Sequence, residues 1–159
     1  MKQKIIEWME NFVEKSNPLL NNWAPCPYAR KARINGNIEI LEGISVLQDG
    51  EFALPMLELK DVVVFYYNND YDKDSFVEDV KILNESLMPM NYVALEDHPD
   101  IVENINGVLM NFGHCPLLFL QKLDKLTEAS DKLKEQGYYD TWSKENIDNV
   151  VTWRRGPID

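Results

Sequence analysis

The sequence predicts an α+β fold in which a small mixed β-sheet of three to four strands packs against four to five helices. Three observations predict it. Segments with apolar residues at helical spacing are interspersed with segments rich in valine and aromatics, in the order α–β–β–α–β–α–α. A mixed sheet with helices on one or both faces is the economical way to bury that set of elements. The chain has 159 residues, 45% of them hydrophobic, with no internal repeat, low-complexity tract or linker, which predicts a single domain over residues 1–159.

Each element has its own signal. Residues 2–15 place Ile5, Trp8, Met9, Phe12 and Val13 on one face, with Lys2, Lys4, Glu7, Glu10 and Glu14 away from it, and Ser16, Asn17 and Pro18 end that helix. A short apolar connection leads to YARKAR, a helical segment closed by the Asn35-Gly36 turn. IEILEGISVLQ reads as a strand with a bulge or turn at Gly43, and Asp49-Gly50 reads as a second turn. The run LELKDVVVFYY is the strongest strand signal and predicts a central strand. Ser75 with Glu78 forms a capping-box pattern ahead of Phe76, Val80, Leu83 and Leu87, and Pro89 closes that helix. NYVALEDH is a short strand, and Pro99 to about Val108 predicts one or two helical turns. A long helix is expected from Pro116 to Gln136, with Leu120, Leu123, Leu126, Ala129 and Leu133 as its buried stripe and Gly137 as its left-handed stop. Ser143 caps a last helix over 144–154 that buries Ile147, Val150 and Val151.

Composition excludes several function classes. The net charge is −11, from 27 acids against 16 Lys and Arg, and such a surface repels nucleic acid and anionic membranes. No apolar run approaches the roughly 18 residues of a membrane span. The opening MKQKIIEWMENF mixes acids into its apolar residues and lacks the pattern of a signal peptide. Cys26 and Cys115 are too few for a disulfide framework, so the expected setting is the cytoplasm, with reduced thiols. The four arginines fall in two places, Arg30 with Arg33 and Arg154 with Arg155. If those places meet, they form one positive spot on a negative protein; apart, they are solvated charges at helix ends.

The rare chemistry-bearing residues share a context. Proline is favoured at the first helical position, and the residue before it is held extended, as an N-cap must be. Cys26 precedes Pro27, His98 precedes Pro99, and Cys115 precedes Pro116 with His114 beside it, so all four Cys and His residues are expected at or next to helix starts. The free N–H groups and positive dipole end there lower a thiol's pKa, and a nearby Arg30 lowers it further. The same position favours a neutral imidazole at His98, which Glu96 and Asp97 can orient. Against this, a lone cysteine often serves as a small buried hydrophobe, the natural role for Cys115, and X-Pro pairs often mark plain corners. There is no CxxC, HExxH, GxSxG or phosphate-cradling glycine loop.

PCPYARKARINGNIEI, the later HP after a strand in VALEDHP, and NFGHCPLLFLQKLDKLTEASDKL together resemble a bacterial family of uncharacterised proteins, domain of unknown function 1415. The matching positions are Cys26, Pro27, Tyr28 in place of Phe, Ala29 and Gly36, then His98 and Pro99, then Asn111, Pro116 and Leu120. The features follow the family's order over roughly the whole chain. The connection after His98 is shorter than the family's, and His114-Cys115 lies outside its pattern. The resemblance implies no activity and adds weight to Cys26 and His98 as a pair.

Three functional readings follow. In the first, a thiol-dependent enzyme or redox protein uses Cys26 as nucleophile or redox thiol, His98 as base and Arg30 as anion contact. In the second, Cys26, His98 and Cys115 or His114 hold zinc or iron; nothing in the sequence otherwise requires a cofactor. In the third, a non-catalytic module holds a small anionic molecule with Arg30, Arg33 and Arg154, or contacts another protein through exposed aromatics.

Overall fold

The computed structural model describes residues 1–155. It has the expected α+β architecture, with a four-stranded mixed sheet in the order β1-β2-β6-β3 and a separate two-stranded hairpin of β4 and β5. Strand β1 (Ile38–Glu42) runs parallel to β2 (Val62–Tyr66). Strand β6 (Leu117–Lys122) lies antiparallel between β2 and β3 (Tyr92–Asp97). The valine-rich run is a central strand, as its composition dictates.

One face of the sheet is covered by α3 (Val46–Phe52) and α4 (Lys73–Leu87), around Val63, Phe65, Phe76, Leu83, Leu118 and Leu120. The other is covered in part by α1 (Lys2–Trp8), which runs on through a π-helical turn at Met9–Val13, and by α2 (Ala29–Ile34). Ile5, Met9, Val64, Phe112, Cys115 and Leu117 fill that side. The two ends of the N-terminal unit are stitched together where Cys26 N–H donates to the Val13 carbonyl at 3.0 Å. Helix α5 (Leu123–Glu135) follows β6 directly, and Gly137, at φ +87°, stops it. Ser143 caps α6 (Lys144–Val150), which tightens into a 3₁₀ turn at Thr152–Arg155 short of a full helix to 154. No helix among the described residues is long and apolar enough to cross a membrane.

Five features depart from expectation, each for a physical reason. The long helix from Pro116 is in fact a strand followed by a helix. Leu117, Leu118 and Leu120 are buried on both sheet faces at once, and a strand buried on both faces reads as a continuous apolar run that periodicity cannot tell from a helix. The strand through Gly43 stops at Glu42, and Ser45 then caps α3. The Asp49-Gly50 turn lies inside α3. Buried Asp49 accepts hydrogen bonds from the Ile44 N–H and the Tyr67 hydroxyl, both at 2.8 Å. At Gly50 a Cβ would sit 2.5 Å from the Leu83 side chain, so glycine lets α3 approach α4. The helical turns after Pro99 are instead the hairpin of β4 (Asn104–Ile105) and β5 (Val108–Leu109). Its Asn106-Gly107 loop has both φ angles positive, the preferred two-residue hairpin turn. Finally, α4 is capped by Asp72, which accepts from Ser75 N–H at 3.1 Å, one turn before the Ser75–Glu78 box.

Candidate functional site: a cleft over the half-covered sheet face

The gap between the N-terminal helices and α5 leaves a cleft of about 760 Å³ over the sheet. Side chains alternate across a strand, so Val62 and Val64 of β2, Phe119 and Gln121 of β6, and Leu95 and Asp97 of β3 share this face and line it. Trp8, Met9 and Phe12 form one wall, and Leu126 and Ala129 of α5 form another. The size and apolar lining are those of a small-molecule site.

The cleft has a charged end. Glu96, Asp97 and Glu103 all line it. Burial raises the Glu96 and Glu103 carboxyls above their ordinary values, and Glu96 raises Glu103 further. Burial, with a smaller push from Glu103 and against the Phe112 N–H bond, lifts Asp97 to about 7. Asp97 Oδ2 accepts from Phe112 N–H at 3.2 Å, while its Oδ1 is buried without a partner. Cys26 lines the same cleft, and behind it the Tyr138 hydroxyl donates to the Pro25 carbonyl.

The residues singled out by sequence are dispersed. None of the three X-Pro pairs opens a helix at the expected position. Cys26-Pro27 forms a turn before α2, whose first helical residue is Ala29. His98-Pro99 begins a tight turn, and Cys115-Pro116 leads into β6. Cys26 is solvent-exposed where the cleft opens, but the walls crowd its thiol. This crowding raises the thiol pKa, against hydrogen bonds from the Tyr28 and Ala29 backbone and with a further push from Glu14, the reverse of the lowering expected at a helix start. Cys115 is buried beside Ile5, Met9 and Leu117, and that burial likewise raises its thiol. His114 is exposed, its ring edge against Phe112.

His98 lies on the opposite side of the sheet from Cys26. Its ring packs against Phe76, with Nδ1 accepting from Asp100 N–H at 3.0 Å. That bond assigns the proton to Nε2, which donates to the Tyr71 carbonyl at 2.7 Å. Both nitrogens of the neutral ring are occupied, so His98 is not placed to deprotonate Cys26 or to join it at a metal. Among the described residues no group of three or more Cys, His, Asp or Glu is arranged to hold a metal ion, which overturns the zinc or iron set of Cys26, His98 and Cys115 or His114.

The arginine spot does not assemble either. Arg33 is bound in a fork by Glu14, at 2.7 and 2.9 Å, with Glu10 at 3.7 Å. Arg154 is buried against α5, donating to Ser130 Oγ at 2.6 Å. Arg155 pairs with Asp131 at 2.6 Å. Arg30 is exposed on α2. Sequence reading missed Glu103 and gave Asp97 the role of orienting His98; the alternation of NYVALEDH instead puts Asp97 on the same face as Val93 and Leu95, away from His98. Compared with known protein families, with curated proteins and with solved structures, the chain matches none.

Proposed function

We propose that this protein is a small binding module whose cleft takes the apolar part of a ligand. The observation that carries this reading is the half-covered sheet face. Phe119, Val62, Leu95 and Trp8 line a concave space of about 760 Å³ that none of the protein's own described side chains fills. The free state of both thiols supports a reducing compartment, the cytoplasm, and the acidic surface disfavours nucleic acid as a partner. Titration with an environment-sensitive apolar dye tests the reading. Saturable one-site binding is expected, weakened at least several-fold by Val64→Lys, which puts a charge into the floor. Binding of equal strength in both proteins overturns it.

A second reading retains the thiol, because Cys26 opens onto the same cleft as carboxyls raised toward neutrality. In that reading the base for a thiol-dependent reaction is Asp97 or Glu103, and His98 and Arg30 have no part in it. The rate of Cys26 alkylation against pH tests it. A single titration at or above the ordinary thiol range, unchanged by Asp97→Asn, removes the reading.

A further inference from the structure

The two edges of the four-stranded sheet are treated differently. At β3 the outward N–H and carbonyl of Ala94 are taken by the Asn84 amide. At β1 the Gly43 N–H donates to the Tyr66 carbonyl, and the Asn37 carbonyl accepts from the Val62 N–H. Those bonds fix the phase of the strand. Residues 37, 39, 41 and 43 turn their backbone groups toward β2, and Ile38, Ile40 and Glu42 turn theirs outward. Among the described residues none of these outward groups has a hydrogen-bond partner, and β2 is the only element packed closely along β1. Both ends of this open edge carry apolar side chains. Ile34, just before the Asn35-Gly36 turn into β1, is 58% exposed, and Ile44, just past the strand, is 83% exposed. Lys60 lies at the Ile34 end, its Nζ donating to the Gly36 carbonyl at 2.7 Å.

We propose that β1 pairs antiparallel with β1 of a second copy of this chain, about a two-fold axis through the sheet beside Ile40, making one continuous sheet through both copies. The register centred on Ile40 is the one that uses every outward group. It sets Ile40 against the partner's Ile40 and Ile38 against the partner's Glu42, and each such pair exchanges two N–H···O bonds. It also suits the charges. Glu39 falls opposite the partner's Leu41 and Glu42 opposite the partner's Ile38, so no acid faces an acid, whereas centring on Glu39 opposes two carboxylates directly. Glu42 shares the cleft face of the sheet with Ile38 and Ile40, and Lys60 lines that face. The two-fold keeps the face common to both copies, so Glu42 is carried toward the end where the partner's Lys60 sits. Ile44 comes level with the partner's Gly36, beside the partner's Ile34. Opposite charges and paired isoleucines at both ends select a second copy over an unrelated extended peptide. The pairing is closed, because it consumes the β1 edge of both partners.

The test is sedimentation of the full chain from about 10 µM to about 1 mM, in about 150 mM salt to screen the repulsion between two acidic copies. A strand of five residues makes a small interface. A reversible monomer–dimer equilibrium with a dissociation constant of about 0.1 mM is therefore expected. Amide exchange followed by NMR identifies the surface. The Ile38, Ile40 and Glu42 amides should gain protection as concentration rises, while those of Glu39 and Leu41, already bonded to β2, change little. Glu42→Pro removes an outward donor and leaves the β2 ladder intact, which an edge strand tolerates. It is expected to weaken dimerisation about tenfold or more, since each copy loses a bond. If that variant fails to fold, Ile44→Ser, at an exposed position, is expected to weaken it about fivefold. A monomer throughout the concentration range overturns the proposal. So does a dimer whose Ile40 and Glu42 amides exchange as fast as in the monomer, or one of equal strength in every folded variant.

Discussion

The two faces of the sheet differ in how they treat buried polar groups. On the face covered by α3 and α4, such groups are paired. Asn84 exchanges two hydrogen bonds with Ala94, accepting at 2.8 Å and donating at 2.9 Å. His98 uses both ring nitrogens, and Asp49 takes bonds from Ile44 and Tyr67. On the face half-covered by α1, α2 and α5, the apolar floor is open and Asp97 keeps a bare oxygen. The first face is closed by its helices, and the second leaves a cleft open. Neighbours in sequence, Asp97 and His98, fall on opposite sides of that division.

The sharpest way to break the contrast is to remove matched aromatics from the two faces. Phe76→Ala, on the closed face, should cost about 3–5 kcal/mol in denaturant unfolding, the range for a fully buried phenylalanine. Phe119→Ala, at the cleft floor, should cost about 1–2 kcal/mol, because its ring is only part-buried and no sealed cavity is left. Equal costs would mean that the cleft is as tightly filled as the core. Asn84→Ala should follow at about 2–4 kcal/mol, since it strands both the N–H and the carbonyl of Ala94.

His98→Ala should destabilise by about 2–3 kcal/mol while leaving the rate of Cys26 alkylation unchanged. A slowed alkylation would bring the two faces into communication and restore the pair that sequence suggested. Asp97→Asn should act in the opposite direction. Burial raises the Asp97 carboxyl from an ordinary 3.8 to about 7, so the folded protein holds a proton there that the unfolded chain has released. Stability from this group is therefore complete below about 4 and lost as pH rises toward 7. The carboxyls facing it include Glu103, which adds to the shift, and the Cys115 thiol also feels it. Thermal unfolding of the Asn variant should show a gain of about 1–2 kcal/mol at pH 8 that fades by pH 4. The smallest effect is expected from Arg30→Ala, within about 0.5 kcal/mol, because this exposed side chain has no partner among the described residues.

Local chemistry in the sequence located most elements whose signals are periodic or capped. The first helix, the stripe of α4, the central valine strand, Gly137 and Ser143 all sit where their residues require. What misled was burial on two sides. PLLFLQK carries leucines for both faces of a sheet, and that pattern mimics a helix stripe. With β6 taken as helix, Cys115 moved to a false helix start and the sheet lost the strand that joins β2 to β3. Asn106-Gly107 is a hairpin-turn pair, but its two strands have only two residues each, too few to show alternation. The cleft was the least legible feature, because Trp8, Cys26, Val64, Asp97 and Phe119 come from five separate segments that only the strand order brings together. Proline placement drew attention to Cys26, which lines that cleft, but implied a helix start and an electropositive setting, where the fold supplies a turn, acids and apolar walls.

The Asn84 amide has one more effect. By occupying the outward-facing N–H and carbonyl of Ala94, it plugs the middle of what would otherwise be a naked margin of the sheet. A stray extended peptide therefore finds no continuous ladder along β3 to zip onto. Fibrous self-association through that border is blocked by a single side chain reaching across from a helix.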